Sequence, residues 1–101
     1  MKDKVLSLLG LAMRAGKVKS GSFLVEKALD ARQARLNLLA DEEESGTVRA
    51  HRDKADRAGV PHLVYASQEA LGRAIGKGDR SCAAVTDEGF ARAIREAADK
   101  T

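Results

Sequence analysis

The stretch LGLAMRAGKVKSGSFLVEK, Leu9 to Lys27, decides how this chain is read. Its first part completes a pattern in which Val5, Leu8, Leu9 and Ala12 recur at i, i+3, i+4 and i+7, the spacing of an amphipathic helix. Asp3 and Arg14 suit the two ends of that helix's dipole, and Gly16 is a fitting C′ stop. Val18 then sits in a brief extended link, and Ser20 or Ser22 is placed to cap a second helix. Leu24, Val25, Ala28 and Leu29 would form the apolar stripe of that helix. A helix start exposes unpaired N–H groups and the positive end of a dipole. From Arg14 to Arg35 six Lys and Arg face only two acids, Glu26 and Asp30. Cations beside a helix start make an anion site, for which phosphate is the natural occupant.

The chain outward from this stretch alternates helix and strand. Leu36 to Ala40 is a short apolar run bounded by charge, read as a buried strand. The acidic run Asp41–Glu44 leads into a helix from about Thr47 to Ala58, stopped by Gly59. Pro61 opens a second strand through Tyr65. Ser67 caps a short helix whose face is Leu71, Ala74 and Ile75, ending at Gly76. Lys77 to Ser81 is a polar loop, Cys82 to Thr86 a third strand, and Asp87 caps a last helix with Phe90, Ala91, Ile94 and Ala98 inward. The order α, α, β, α, β, α, β, α implies a three-layer α/β/α sandwich in one domain spanning residues 1–101.

Composition narrows the function. Of 101 residues, 44% are hydrophobic and 33% charged, which is the balance of a globular chain rather than a disordered one. The aromatic residues are Phe23, Tyr65 and Phe90, too few for a protein that stacks a run of bases. The net charge of +3 is modest, with nine bases and seven acids in residues 1–50 and nine and eight beyond. The local excess over Arg14–Arg35, not the total, is what points to nucleic acid. Cys82 alone excludes a disulfide within the chain, and its apolar neighbours Ala83, Ala84 and Val85 suggest a buried thiol. No apolar run nears the roughly 20 residues of a membrane span. Asp3, Arg14 and the helical spacing count against reading the N-terminus as a signal peptide, so a cytoplasmic location is expected.

Sites of chemistry fail one by one. Gly10 to Gly16 encloses five residues where a phosphate-binding glycine loop needs four, and Val18 replaces its Ser or Thr. Gly72 to Gly76 encloses three. His51, His62 and Cys82 lie on different elements without ligand spacing, and the two histidines read as surface residues. Asp41–Glu44, Asp87 and Glu88 all have capping roles. Neither catalysis nor a metal or cofactor is expected. The constellation that survives is Arg14, Lys17, Lys19, Gly21, Ser22 and Lys27, with Arg35 at the far end of the second helix. Gly21 allows close backbone approach, and Ser22 can hydrogen-bond a phosphate or base edge.

These pieces, in order, make the chain similar to a known family. Leu9-Gly10-Leu11-Ala12, Arg14-Ala15-Gly16-Lys17, Ser20-Gly21 with Lys27, and Leu38-Leu39-Ala40-Asp41 are the first of them. Gly59-Val60-Pro61, Leu71-Gly72, Ile75-Gly76-Lys77 and Ala84 to Phe90 complete the set. Together they resemble the kink-turn RNA-binding ribosomal protein superfamily (large-subunit proteins L-seven-Ae and L-thirty-e), most closely its bacterial YlxQ-like branch. The resemblance implies a three-layer sandwich around a small mixed sheet. It implies a first RNA surface at Gly21, Ser22 and Lys27, flanked by Lys19 and Arg35, and a second at Gly78, Asp79, Arg80 and Ser81, a loop that Asp79 and Arg80 make polar and charged, with Lys77 just before it as a further cation.

Phe23 and Leu24 stand where the best-known kink-turn binders carry Asn and Glu, and cannot make those polar contacts. Phosphate contact, which needs charge and backbone N–H, therefore carries over more fully than base reading. Phe23 is read either as a stacking residue or as part of the core. The expected partners are ribosomal or other structured RNA and, with it, ribosome-associated proteins, with no membrane. The alternative is a protein-interaction module of the same fold, suggested by the apolar pair Phe23 and Leu24. The chain is also compatible with being the RNA-recognition part of a longer polypeptide.

Overall fold

The structure is a computed structural model that describes residues 3–41 and 46–100. Its elements are α1 (Lys4–Arg14), β1 (Val18–Ser20), α2 (Ser22–Asp30), β2 (Leu36–Leu39), α3 (Gly46–Arg57), β3 (His62–Val64), α4 (Gln68–Ala74), β4 (Cys82–Val85) and α5 (Glu88–Asp99). The expected link at Val18 is thus a fourth strand. At three residues it carries too little pattern to be told from a connection, and only its pairing with β4 makes it a strand.

The sheet order is β1-β4-β2-β3. β1 and β2 run antiparallel to β4, and β3 runs parallel to β2, so the sheet is mixed. α1 packs on α4 and α5 over one face, and α2 on α3 over the other. That is the α/β/α layering the alternating pattern implied. The central strands β2 and β4 are buried along their whole length, which is why they read as unbroken apolar runs, whereas β1 and β3 are short, partly exposed edges. Val5, Leu9 and Ala12 of α1 are fully buried against this sheet, as are Leu36, Leu38 and Val85. Burial of each Leu or Val contributes roughly 1.5–3 kcal/mol. Asn37 in the middle of β2 is also fully buried.

The caps predicted at Ser67 and Asp87 form, and Asp3, expected only to suit the dipole, caps α1. Asp3 Oδ1 accepts from Leu6 N (3.0 Å), Ser67 Oγ from Ala70 N (3.1 Å) and Asp87 Oδ2 from Phe90 N (2.9 Å). Asp3 also ties α1 to the end of β3, because Tyr65 Oη donates to its Oδ2 at 2.6 Å, a bond that raises the Tyr65 pKa. The proposed N-terminal role of Glu42 to Glu44 falls outside the described residues.

Four helices end alike. In α1, α2, α3 and α4 the third residue past the helix bonds back into the last turn: Lys17 N to Ala12 O, Gln33 N to Ala28 O, Val60 N to Ala55 O and Lys77 N to Gly72 O, at 2.8–2.9 Å. This closure requires a left-handed residue just before. Three helices use glycine: Gly16 (φ +75), Gly59 (φ +71) and Gly76 (φ +72). α2 uses Arg32 (φ +59), at a steric cost of roughly 1 kcal/mol.

Candidate nucleic-acid interface

β1 and β4 set the site. Ser20 pairs with Ala83, and Gly21 N donates to Cys82 O at 3.2 Å, so the start of α2 lies beside the entry of β4. The cap is Gly21 itself (φ +88, ψ 154), and no side chain caps α2. The expectation that Ser20 or Ser22 would do so is overturned. Ser22 is already the first helical residue, and the left-handed backbone at Gly21 makes the turn from strand to helix in one residue. The first-turn N–H groups of α2 thus have no side-chain partner, at the positive end of its dipole.

Because α2 begins at Ser22, Lys27 shares a face with Phe23, four residues earlier, rather than with Ser22. Its Nζ lies 5.3 Å from the Phe23 ring centroid, within cation–π range. Phe23 is 70% exposed, which settles its two readings against the core. Leu24, expected in the apolar stripe, is 44% exposed. The buried stripe is Val25, Ala28 and Leu29, and Leu24 sits at its margin.

The 76–81 loop reaches the same edge of the sheet. From the end of α4 it folds back along that helix, with Lys77 N on Gly72 O (2.8 Å) and Arg80 N on Gln68 O (3.0 Å). Gly72 makes this possible: a Cβ there would lie 1.9 Å from Gly78 O. The Arg80 guanidinium donates to Gly78 O and Asp79 O at 3.3 and 2.9 Å, stiffening the loop. Ser81 O accepts from Ala40 N at 2.9 Å. The two surfaces implied by resemblance, Gly21–Ser22 and Arg80–Ser81, are therefore neighbours on one rim. Lys77 stands at the other end of α4.

The remaining predicted cations do not join them. Lys19 and Arg35 line a concavity of about 380 Å³ with Arg32, Gln33 and Thr86 at the opposite rim. Lys17 is there too, its carbonyl accepting from Thr86 N at 2.9 Å. Arg14 lines a groove between α1 and α4, on the other layer. The single basic corner read from Arg14–Arg35 is thus divided. The reason is geometric: that segment crosses the sheet along β1 and returns along α2, whose nine residues span about 13 Å. Arg57 and Arg95, which no local pattern singled out, lie at the far rim with Arg32 and Arg35.

Other reactive side chains are quiet. Burial pushes the Cys82 thiol up to about 11, against a smaller opposing effect of its hydrogen bond with Ser81. His51 is 3% exposed rather than superficial. It lies on α3, and burial lowers its pKa, with Glu26 opposing and Lys54 assisting. Among the described residues no three His, Cys, Asp or Glu side chains converge as metal ligands, and no helix is long and apolar enough to cross a membrane.

Comparisons with known proteins agree with this architecture. A relative from Bacillus subtilis (strain 168), described as RNA-binding protein YlxQ, is 45% identical over 87 residues, covering 86% of this chain and 87% of its own. The large ribosomal subunit protein eL8 of Cenarchaeum symbiosum (strain A) is 33% identical over 93 residues, covering 91% and 74%. A solved structure of a Bacillus halodurans protein of unknown function superposes with a TM-score of 0.88 at 37% identity, covering 97% of this chain and 99% of the other. The Giardia lamblia 15.5kD RNA binding protein shares the fold, with a TM-score of 0.80 at 22% identity over 96% and 83%. The family model for the ribosomal protein L7Ae/L30e/S12e/Gadd45 family matches residues 3–95, and the chain belongs to that family.

Proposed function

We propose that the chain is a cytoplasmic, non-catalytic RNA-binding protein, one unit over residues 1–101, that contacts structured RNA through the Gly21–Ser22 rim. The observation that carries this is the helix start itself: a left-handed Gly21 leads into a first turn that no side chain caps, beside Ser81 and below the exposed Phe23–Lys27 pair. RNA phosphate would take the free N–H groups, with Lys27 and Ser22 as further contacts and Arg80 holding the loop against the same strand. Phe23, exposed and already over a cation, is suited to stack on an unpaired base. Two relatives are described by name as RNA-binding, and a third as ribosomal, which supports ribosomal or other kinked RNA as partner and ribosome-associated proteins as neighbours.

Filter binding to a kinked RNA helix tests the reading. Lys27→Ala should weaken affinity and lower the salt slope by about one. An unchanged slope and affinity would remove Lys27 from the site. Lys19→Ala, at the opposite rim, should weaken binding independently of Lys27→Ala. One observation favours a second reading, a protein-interaction module: Phe23 and Leu24 are both large, apolar and exposed. Partners recovered with the chain after RNase treatment, and lost in Phe23→Ala, would support that reading over RNA.

A further inference from the structure

The rim opposite Gly21 adds Arg32, Arg57 and Arg95, which the reading above leaves unassigned, to Lys19 and Arg35. Arg32 and Arg35 follow α2, Arg57 ends α3, and Arg95 comes from α5; together they line a groove of about 630 Å³. Two acids share it. Asp30 is paired with Lys54 at 3.3 Å, and Glu88 belongs to the first turn of α5. Among the described residues none of the four arginines is in an ion pair. Arg32 and Arg35 also line the adjoining concavity with Lys19, so the two hollows form one continuous basic strip.

Arg32 gives the strip its meaning. At the matching position of the other three helix ends the chain places glycine, which adopts positive φ without strain. Here it keeps arginine at φ +59. A cation favouring the helix's negative end would serve equally well one residue earlier, in relaxed backbone. Non-glycine residues held at positive φ cluster at functional sites; the other one here, Ala66 (φ +64), lies in a bend and carries no charge. Among the described residues neither a hydrogen bond nor an ion pair of its side chain accounts for Arg32; its carbonyl, instead, accepts from Arg35 Nη1 at 3.2 Å, drawing the two arginines together.

We propose that this rim is a second RNA-backbone surface, across the sheet from the Gly21 rim, with Arg32 at its centre and phosphate as the group it holds. Arginine forks match phosphate, and unpaired guanidinium groups from three elements suit a polyanion better than a single small anion. The proposal rests on the RNA-binding reading above.

Salt-titrated binding to a labelled, structured RNA separates the two. Arg32→Gly should lower the salt slope by about one while its Tm holds or rises by a few degrees, because strain is relieved. Arg32→Lys, which keeps charge, should bind within about twofold of the parent. R32G/R57A/R95A should bind about tenfold more weakly with a slope lower by about two. Phe23→Ala with Lys27→Ala should leave a salt-dependent residue of binding that the triple substitution abolishes. The proposal is overturned if R32G and the triple variant bind as the parent does, or if R32G loses several degrees in Tm. It is equally overturned if the triple variant keeps RNA but no longer binds immobilised polyglutamate, which would make the rim a site for an acidic protein. Failure of the parent chain to bind RNA at any salt would instead defeat the underlying reading.

Discussion

The two ends of α2 both place a residue at positive φ, and they do it differently. At the N-terminal end Gly21 (φ +88) opens the helix without a capping side chain, which leaves backbone donors free. At the C-terminal end Arg32 (φ +59) closes it with a long cationic side chain in a conformation better suited to glycine. One end offers main chain to an anion, and the other offers guanidinium. The difference teaches that charge along a helix and access at its start are separate resources. A sequence window counts them together, while the fold sets them about 13 Å apart.

The largest effect should come from breaking the support of the Gly21 end. Gly72→Ala would drive a Cβ into the Gly78 backbone, which cannot yield like a flexible side chain. A loss of about 3 kcal/mol, read by urea unfolding, is expected, together with displacement of the 78–81 loop. A neutral effect would mean the loop does not need its present path. Next, Phe23→Ala should leave stability within about 0.5 kcal/mol, since the ring is largely exposed, yet weaken RNA binding by about 1–3 kcal/mol if it stacks on a base. Loss of stability without loss of binding would return Phe23 to a structural role.

His51 tests the packing of α3 behind both ends. Its proton affinity is lowered in the folded state, so below its ordinary value of 6.5 the unfolded chain takes up the proton first. The stability it allows is therefore complete above pH 6.5 and falls as the pH drops toward the folded-state value. Tm should decline by a few degrees between pH 7.5 and 5.5 in the parent and less in His51→Gln, measured by thermal scans. Equal declines would place the pH sensitivity elsewhere. The smallest effect concerns Cys82, whose thiol, raised to about 11, should resist alkylation at pH 8 in the native state and react only on unfolding.

Much of this architecture was legible in the residues. The helices announced themselves by spacing and by caps such as Ser67 and Asp87, and β2 and β4 by apolar runs. β1 was not legible, since Val18–Ser20 is defined by its partner strand rather than by its own pattern. Nor was the exchange of a serine cap for Gly21, because three candidate residues lie side by side and only backbone angles choose among them. His51 escaped because a lone histidine carries no sign of its depth. At the site, the juxtaposition of Gly21 with Ser81 came only through family resemblance, since 59 intervening residues separate them in local reading. The far rim was hidden for the same reason: Arg57 and Arg95 meet Arg32 and Arg35 only once α3 and α5 are packed.

The most direct test of the Gly21 rim is an amide chemical-shift titration of the intact chain with a kinked RNA helix. The account predicts the largest changes at Gly21, Ser22 and Phe23, with Ser81 moving alongside them. A complex that forms while those four amides stay still would contradict it.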